Sequence, residues 1–235
     1  INRIAFRRRV FMLIHADFSQ AVIVKPEDYH WVKSPRGEVD RVMLDRIGDE
    51  IARATSLVKY APHTTFPEHR HHHGEEILVL SGVFTENQNL HYSAGWYLRS
   101  PHQSVHQPSS EEGTLIFVKL MQIPMSETQA LRINTNDPAQ WQKIDTRLIC
   151  TLIDASYEHT YLEKLKPQQL FIEEAEGGIE ILITQGQLVD KEMVFDAGTW
   201  IRLPPKTLAY FQAGLSGASL YVKTGHLASA IAEYN

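Results

Sequence analysis

Residues 69–82 read His-Arg-His-His-His-Gly-Glu-Glu-Ile-Leu-Val-Leu-Ser-Gly. Successive side chains of an extended strand point to opposite faces, so His69 and His71 share a face, and Glu75 has the same parity. The apolar run that follows Glu75 is typical of a buried strand, and Gly82 ends it in a turn. Imidazoles and a carboxylate on one face suit a divalent metal. The stretch therefore predicts a metal site carried by strands.

A second stretch, residues 95–106, reads Gly-Trp-Tyr-Leu-Arg-Ser-Pro-His-Gln-Ser-Val-His. A strand that folds back antiparallel would carry His106 into the same cavity as the first two histidines. The alternative for residues 70–73 is a solvated, partly basic loop, because histidine-rich tracts alone are only compositional hints. That alternative does not explain why Glu75, Gly82 and His106 also fall in register.

The two stretches resemble the two sequence motifs of the cupin superfamily. The residues that match the first motif, without a gap, are His69, His71, Glu75 and Gly82. The residues that match the second motif are Gly95, Pro101 and His106, while Gln103 stands where that motif has glycine. The resemblance implies an all-β jelly-roll barrel and one divalent metal per chain, held by His69, His71, Glu75 and His106.

More closely, residues 60–80 and 113–119 resemble the cupin domain of the ChrR-type anti-sigma factors. Such proteins also carry a separate zinc-binding domain with a Cys-x-x-Cys pair. A chain whose one cysteine is Cys150 cannot form that pair. The resemblance therefore implies a ChrR-like cupin domain. It does not imply that the chain sequesters a sigma factor through such a zinc-binding domain.

The second half of the sequence repeats the first. Segments that begin at residues 74, 94, 113 and 118 recur at 178, 197, 217 and 222. An offset that varies by one residue, between 103 and 104, indicates duplication of a structural unit, and short strand-like runs between turn residues favour an all-β fold. We predict a bicupin, with two tandem barrels in one chain. Its parts are an N-terminal arm at 1–25, a metal-binding lobe at 26–123, a linker at 124–139 and a degenerate lobe at 140–235.

The second lobe lacks the predicted ligands. The residues at the positions of His69, His71, Glu75 and His106 are Glu173, Ala175, Ile179 and Ala209. Alanine and isoleucine cannot coordinate a metal. What both halves keep are turn glycines, apolar runs and two charged residues, Glu76 and Arg99, which recur as Glu180 and Arg202. We therefore interpret these charged residues as structural, with ion pairing as the expected role.

Four further residues are candidates for the surroundings of the metal. His73 has the parity of His69 and His71, so it is the alternative ligand. His102, beside the second motif, is expected behind a ligand or at the rim of the site. Arg99 could hold an anionic ligand instead of a structural partner. Tyr97 could line the mouth of the pocket, although most barrel aromatics belong to the core.

Composition limits the remaining classes. The net charge of −5 argues against a broad nucleic-acid surface. No apolar run approaches the ~20 residues of a membrane span, and one cysteine gives no sign of secretion, so a cytoplasmic location is expected. Met12 is a possible native start. A homodimer that exchanges the N-terminal arm is also expected.

Three imidazoles and a carboxylate suit Zn(II), Fe(II), Ni(II), Mn(II) or Co(II). The resemblance implies a sensory or regulatory metal site. The alternative is an Fe(II)-dependent dioxygenase that cleaves a small diketone or hydroxyketone. With zinc, redox chemistry at the metal is excluded, and the site would stabilise the fold or sense a small-molecule ligand. A third possibility is a purely structural or storage bicupin. It is least favoured, because such a protein does not need a complete set of metal ligands.

Overall fold

The structure, a computed structural model, describes residues 12–35 and 39–234. The first part of the predicted arm, residues 1–11, lies outside the described residues. The strands of the first half are β1 (Leu13–Ile14), β2 (Val22–Val24), β3 (Trp31–Lys33), β4 (Val39–Gly48), β5 (Ala52–Tyr60), β6 (Thr64–Thr65), β7 (His69–Arg70), β8 (Glu75–Glu86), β9 (Leu90–Ser93), β10 (Trp96–Ser100), β11 (Val105–His106), β12 (Pro108–Ser110), β13 (Thr114–Leu120) and β14 (Leu131–Asn134).

The second half has a shorter series of strands and ends in a helix. Its elements are β15 (Gln142–Ile144), β16 (Arg147–Ala155), β17 (Glu158–Leu165), β18 (Leu170–Ala175), β19 (Ile179–Asp190), β20 (Met193–Asp196), β21 (Trp200–Leu203), β22 (Thr207–Thr224) and α1 (Leu227–Tyr234). Short 3₁₀ turns occur at Pro26–Asp28 and Pro138–Gln140.

The strands form two large antiparallel sheets, one for each lobe. The first has the path β1-β4-β5-β13-β8-β10-β14, and the second has the path β15-β16-β17-β22-β19-β21-β2. A separate pair, β7 with β11, closes the first lobe near the histidines. The all-β, two-lobed prediction is confirmed.

Each lobe takes its last strand from a segment that the sequence did not mark as part of it. Strand β14 lies in the predicted linker and pairs with β10 of the first lobe. Strand β2 lies in the predicted arm and pairs with β21 of the second lobe. Pairing across such distances buries the edge of each sheet, which would otherwise expose unpaired backbone groups. The arm and the linker therefore belong structurally to the barrels that they complete.

Strand register confirms the duplication. His69 lies opposite His106 in the first lobe, and Glu173 lies opposite Ala209 in the second. The repeated glycines also have one role, since Gly82 and Gly186 both have a φ of +71°. A Cβ atom at Gly82 would overlap the carbonyl oxygen of Gly113, so the turn requires glycine.

Buried apolar side chains form a core in each lobe and a third core between the lobes. The first lobe packs around residues such as Val58, Val79 and Ile116. The core between the lobes includes Leu78 and Trp200. Burial at this interface is the main attraction that holds the two barrels together.

Buried ion pairs cross the same interface in a symmetric pattern. Lys223 of the second lobe contacts Glu76 of the first at 2.7 Å. Lys119 of the first lobe in turn contacts Glu180 of the second. Arg99 also contacts Glu76, at 2.9 Å. The structural interpretation of the repeated charges is confirmed, and the duplication explains why the pairs come in two matching sets.

Candidate metal site

Two short strands and the start of a long one position the predicted ligands. Strands β7 and β11 pair so that His69 and His106 lie directly opposite each other. The backbone N–H of His71 donates a hydrogen bond to the carbonyl of Ser104, which fixes the next residue of the same face. Glu75 is the first residue of β8. The four side chains thus meet in the first barrel.

The side chains converge at short distances. The Nε2 atoms of His71 and His106 are 2.9 Å apart. The Oε2 atom of Glu75 lies 3.3 Å from Nε2 of His71 and 3.4 Å from Nε2 of His106. His69, His71 and His106 each offer a ligand atom within 4.8 Å of the others. This is a cluster of donors with the size of a metal coordination sphere.

The cluster is buried, and one of its atoms lacks a partner. Glu75 is 8% exposed, His71 is 6% exposed and His106 is 5% exposed. Within the described residues, the buried Oε2 atom of Glu75 has no hydrogen-bond partner. Such an atom costs free energy unless something satisfies it. A divalent cation between Glu75 and the imidazoles would do so, and therefore the residues present fit a metal.

The hydrogen bonds of two histidines fix their tautomers. Nδ1 of His69 donates to the carbonyl of Pro67 at 2.9 Å, and Nδ1 of His106 donates to Glu86 at 2.7 Å. In the neutral form of each ring, with the proton on Nδ1, the Nε2 atom carries a lone pair that can bind a cation.

Burial favours the uncharged forms of His69, His71 and Glu75. Burial, followed by the nearby His106, lowers the pKa of His71 to about 3. Burial also lowers the pKa of His69 and raises the pKa of Glu75. Burial would also lower the pKa of His106, but the carboxylates of Glu75 and Glu86 outweigh it and raise the pKa. Neutral imidazoles are the form that a metal needs.

Sequence reasoning did not find Glu86 and Arg132, which support His106. Glu86 is 2% exposed and receives a hydrogen bond from Nη2 of Arg132 at 2.9 Å. Although burial would raise the pKa of Glu86, its bonds to His106 and Arg132 lower it, so the carboxylate is ionised. Arg132 comes from β14, within the predicted linker. The alternation in Leu131-Arg132-Ile133-Asn134 was the available signal that this segment is a strand.

We expect Glu86→Ala to weaken metal binding by about 10- to 100-fold, because an outer carboxylate orients its ligand histidine and raises its basicity. Competition of Co(II) against a chelator measures the affinity. Asp190 holds the matching position at the end of β19, so Asp190→Ala is the control and should leave the affinity unchanged. Equal affinities for Glu86→Ala and the wild type would contradict this support role.

His73 and His102 contact each other outside the cluster. The backbone N–H of His73 donates to Nδ1 of His102 at 3.0 Å, and the two rings are 5.3 Å apart. Within the described residues, the group of potential ligands contains His69, His71 and His106. It includes neither His73 nor Glu75, but Glu75 lies within 3.4 Å of two of these rings, whereas His73 contacts His102. Gln103, at the position where the second cupin motif has glycine, has a φ of +67°. The backbone therefore adopts the left-handed conformation that favours glycine, although the residue is glutamine.

Tyr97 and Arg99 lie in the interface between the lobes instead of near the histidines. Both are 0% exposed, and Arg99 contacts Glu76, Glu127 and Glu158. Parity on β10 explains the placement, since the intervening Leu98 faces the interior of the first lobe. This corrects the expectation that Tyr97 lines the mouth of the pocket, and it argues against the alternative role of Arg99 in holding an anionic ligand.

A cavity of about 570 Å³ opens over the cluster. It is lined by His69, His71, Glu75 and His106, together with apolar side chains such as Val58, Phe66 and Ile116. Its size is in the range of small-molecule sites, which are mostly apolar with a few polar groups. A small organic molecule could therefore reach a metal held by the cluster.

Fold and site together define a bicupin with one candidate metal centre. Residues 19–124 match the family model described as ChrR cupin-like domain. Over this stretch, which is less than half of the chain, the first lobe resembles the cupin-like domain of ChrR. No curated protein sequence matches the chain.

Solved structures share the fold at low sequence identity. A candidate dioxygenase from Nostoc punctiforme superposes with a TM-score of 0.67 at 12% identity, covering 94% of this chain and 85% of the other. YlbA from Escherichia coli gives 0.66 at 15% identity, covering 92% and 94%. The Escherichia coli pirin YhhW, in complex with nickel(II), gives 0.64 at 11% identity, covering 87% and 98%. Identities this low establish a common fold only.

Within the described residues, the helix that the chain forms is too short to cross a membrane.

Proposed function

We propose that the first lobe binds one divalent metal through His69, His71, Glu75 and His106. The observation that carries the proposal is the buried, unpartnered Oε2 atom of Glu75, which lies within 3.4 Å of two imidazole nitrogens. Three nitrogen donors and one oxygen donor suit Fe(II), Zn(II), Ni(II), Mn(II) or Co(II). The nickel(II) in the pirin YhhW shows that a neighbour with this fold holds such an ion.

The cavity supports a metal that acts on a small molecule. Structural zinc sites are closed, whereas catalytic sites keep an open position for a ligand. Here the donors line an open cavity with apolar walls, where Val58, Phe66 and Ile116 would hold a carbon skeleton and exclude water. Bound Fe(II) would supply the redox chemistry for dioxygen-dependent cleavage of a small diketone or hydroxyketone. We favour this dioxygenase function, and the Nostoc neighbour described as a candidate dioxygenase supports it.

A second candidate is a sensory or regulatory site that binds a ligand without turning it over. The match of residues 19–124 to the ChrR cupin-like domain favours it. The metal would then be zinc, which has no redox chemistry of its own. In this case the loss or gain of a coordinating group would alter the fold or partner binding. The cytoplasmic location and the homodimer remain predictions.

Elemental analysis and oxygen uptake separate the candidates. Tag-free protein is analysed by inductively coupled plasma mass spectrometry, and then assayed with acetylacetone in an oxygen electrode after loading with Fe(II). We expect about one metal per chain, and oxygen uptake that the Zn(II)-loaded protein lacks. Metal without uptake across a panel of diketones and hydroxyketones would favour the sensory function. Absence of metal, even after reconstitution, would refute the four-ligand site.

A further inference from the structure

Arg41 lies in the cavity that the metal cluster occupies. It lines the same space as His69, His71 and His106. On β4 it pairs with Val58 of β5, and cross-strand partners project to the same face of a sheet. Val58 belongs to the interior core of the first lobe. The Arg41 side chain therefore faces the barrel interior, while its neighbour Val42 packs toward the second lobe.

Among the described residues, no carboxylate pairs with Arg41. Across residues 12–35 and 39–234, Arg41 forms no ion pair, and its buried Nε atom has no hydrogen-bond partner. Two fully buried arginines of this chain are matched with carboxylates, Arg99 with Glu76 and Arg202 with Asp45. Arg41 is half-buried, and a buried N–H group without a hydrogen-bond partner costs free energy. An anion in the cavity would offset that cost.

The degenerate lobe provides an internal control. In the first lobe, Ile116 lies opposite Val79 on one side and opposite Val58 on the other, and Val58 in turn lies opposite Arg41. In the second lobe, the matching neighbours are Ile183, Leu220, Glu163 and Ile149, so Ile149 holds the position of Arg41. Ile149 is buried in an apolar core. The register position of Arg41 thus holds no cation in the second lobe, where Arg147, two residues before Ile149, is instead paired with Glu163 and Glu173. The fold alone therefore does not require an unpaired arginine at this position.

We propose that the cavity takes a small organic anion, which places a metal-binding group at the histidine cluster and a separate carboxylate against Arg41. The substrate or ligand class is then a small oxo acid instead of a neutral ketone. This proposal rests on the proposed metal site. The planar guanidinium suits a carboxylate, because two parallel N–H groups can donate to its two oxygens. Glu50 and Glu68 also line the cavity, but both are exposed, so water screens their charges.

Two diketones that differ by one distal carboxylate test the proposal. Calorimetry measures the binding of succinylacetone (4,6-dioxoheptanoate) and acetylacetone to the Co(II)-loaded protein. We expect the wild type to prefer succinylacetone by about tenfold or more, which is the contribution of one charge-assisted hydrogen bond. Arg41→Met should reduce the preference to within about twofold, and Arg41→Lys should retain part of it.

Controls separate recognition by Arg41 from general charge and from failure of the metal site. Arg70→Met removes an exposed arginine at the cavity rim that already contacts Gln103, and it should keep the preference. Melting temperatures should show that Arg41→Met is folded. If the wild type binds no metal, the proposed function fails, and the titrations are repeated on metal-free protein. Equal affinities for both probes in every form, or a preference that survives Arg41→Met, would overturn the assignment of Arg41.

Discussion

Replacing His71 with alanine is expected to remove the bound metal almost completely. His71 provides the buried Nε2 atom that lies within hydrogen-bond distance of both His106 and Glu75. The substitution removes a side chain that binds the metal directly. The metal affinity should therefore fall by more than the about 10- to 100-fold that is typical when a residue hydrogen-bonded to a ligand is lost. Elemental analysis of tag-free protein, purified alongside the wild type, measures the remaining occupancy.

Two variants make this result specific. His73→Ala removes a neighbouring histidine that contacts His102 instead of the cluster, and it should keep the metal. Ala209→His places an imidazole at the position that matches His106, but it should not create a second site because Ala175 and Ile179 remain. Stoichiometric metal in His71→Ala would contradict the ligand assignment.

Replacing Lys223 with methionine is expected to destabilise the chain by about 3–5 kcal/mol, because it leaves buried carboxylates without their cation. Lys223 is 0% exposed and contacts Glu76 at 2.7 Å and Glu158 at 2.9 Å. Denaturant unfolding measures the change in the free energy of unfolding. Lys33→Met is the matched control, since Lys33 forms an exposed pair with Asp40, and it should change stability by about 1 kcal/mol or less. A similar small change for Lys223→Met would show that Arg99 alone compensates both carboxylates.

The same network predicts a response to acid. Burial would raise the pKa of Glu76, but Lys223, Arg99 and Lys119 outweigh it and lower the pKa from 4.5 to about 2. A carboxyl group whose pKa falls on folding stabilises the folded state when ionised. This stabilisation is complete above pH 4.5 and is lost as the pH falls toward 2. Glu76→Gln should therefore flatten the stability profile in that range.

Much of the site was predictable because its signals are local. His69, His71 and Glu75 lie within a few residues of one another, where the two-residue period of a strand decides which face they share. The duplication helped as well, since Glu76 and Arg99 recur in a lobe without ligands and therefore had to be structural. Ion pairs across the interface confirm that inference.

Parity alone could not decide the surroundings of the site. Tyr97 was a candidate for the mouth of the pocket, and Arg99 had a role there as the alternative to ion pairing, but their face of β10 packs against the second lobe. Arg41 was not among the residues predicted for the site, although it lines the cavity. Which face of a strand is interior depends on the sheet that packs against it, and that sheet comes from elsewhere in the chain.

The sequence by itself determined the duplicated all-β design and the lobe that carries the potential ligands, because turn residues and strand periodicity act over short distances. Only the tertiary structure decided that β14 completes the first barrel and β2 completes the second. Barrel closure likewise brings Arg132 to Glu86 and Glu86 to His106. Such contacts join strands far apart in the chain, and they form because sheet edges must pair and polar groups must be satisfied when the barrels bury their cores.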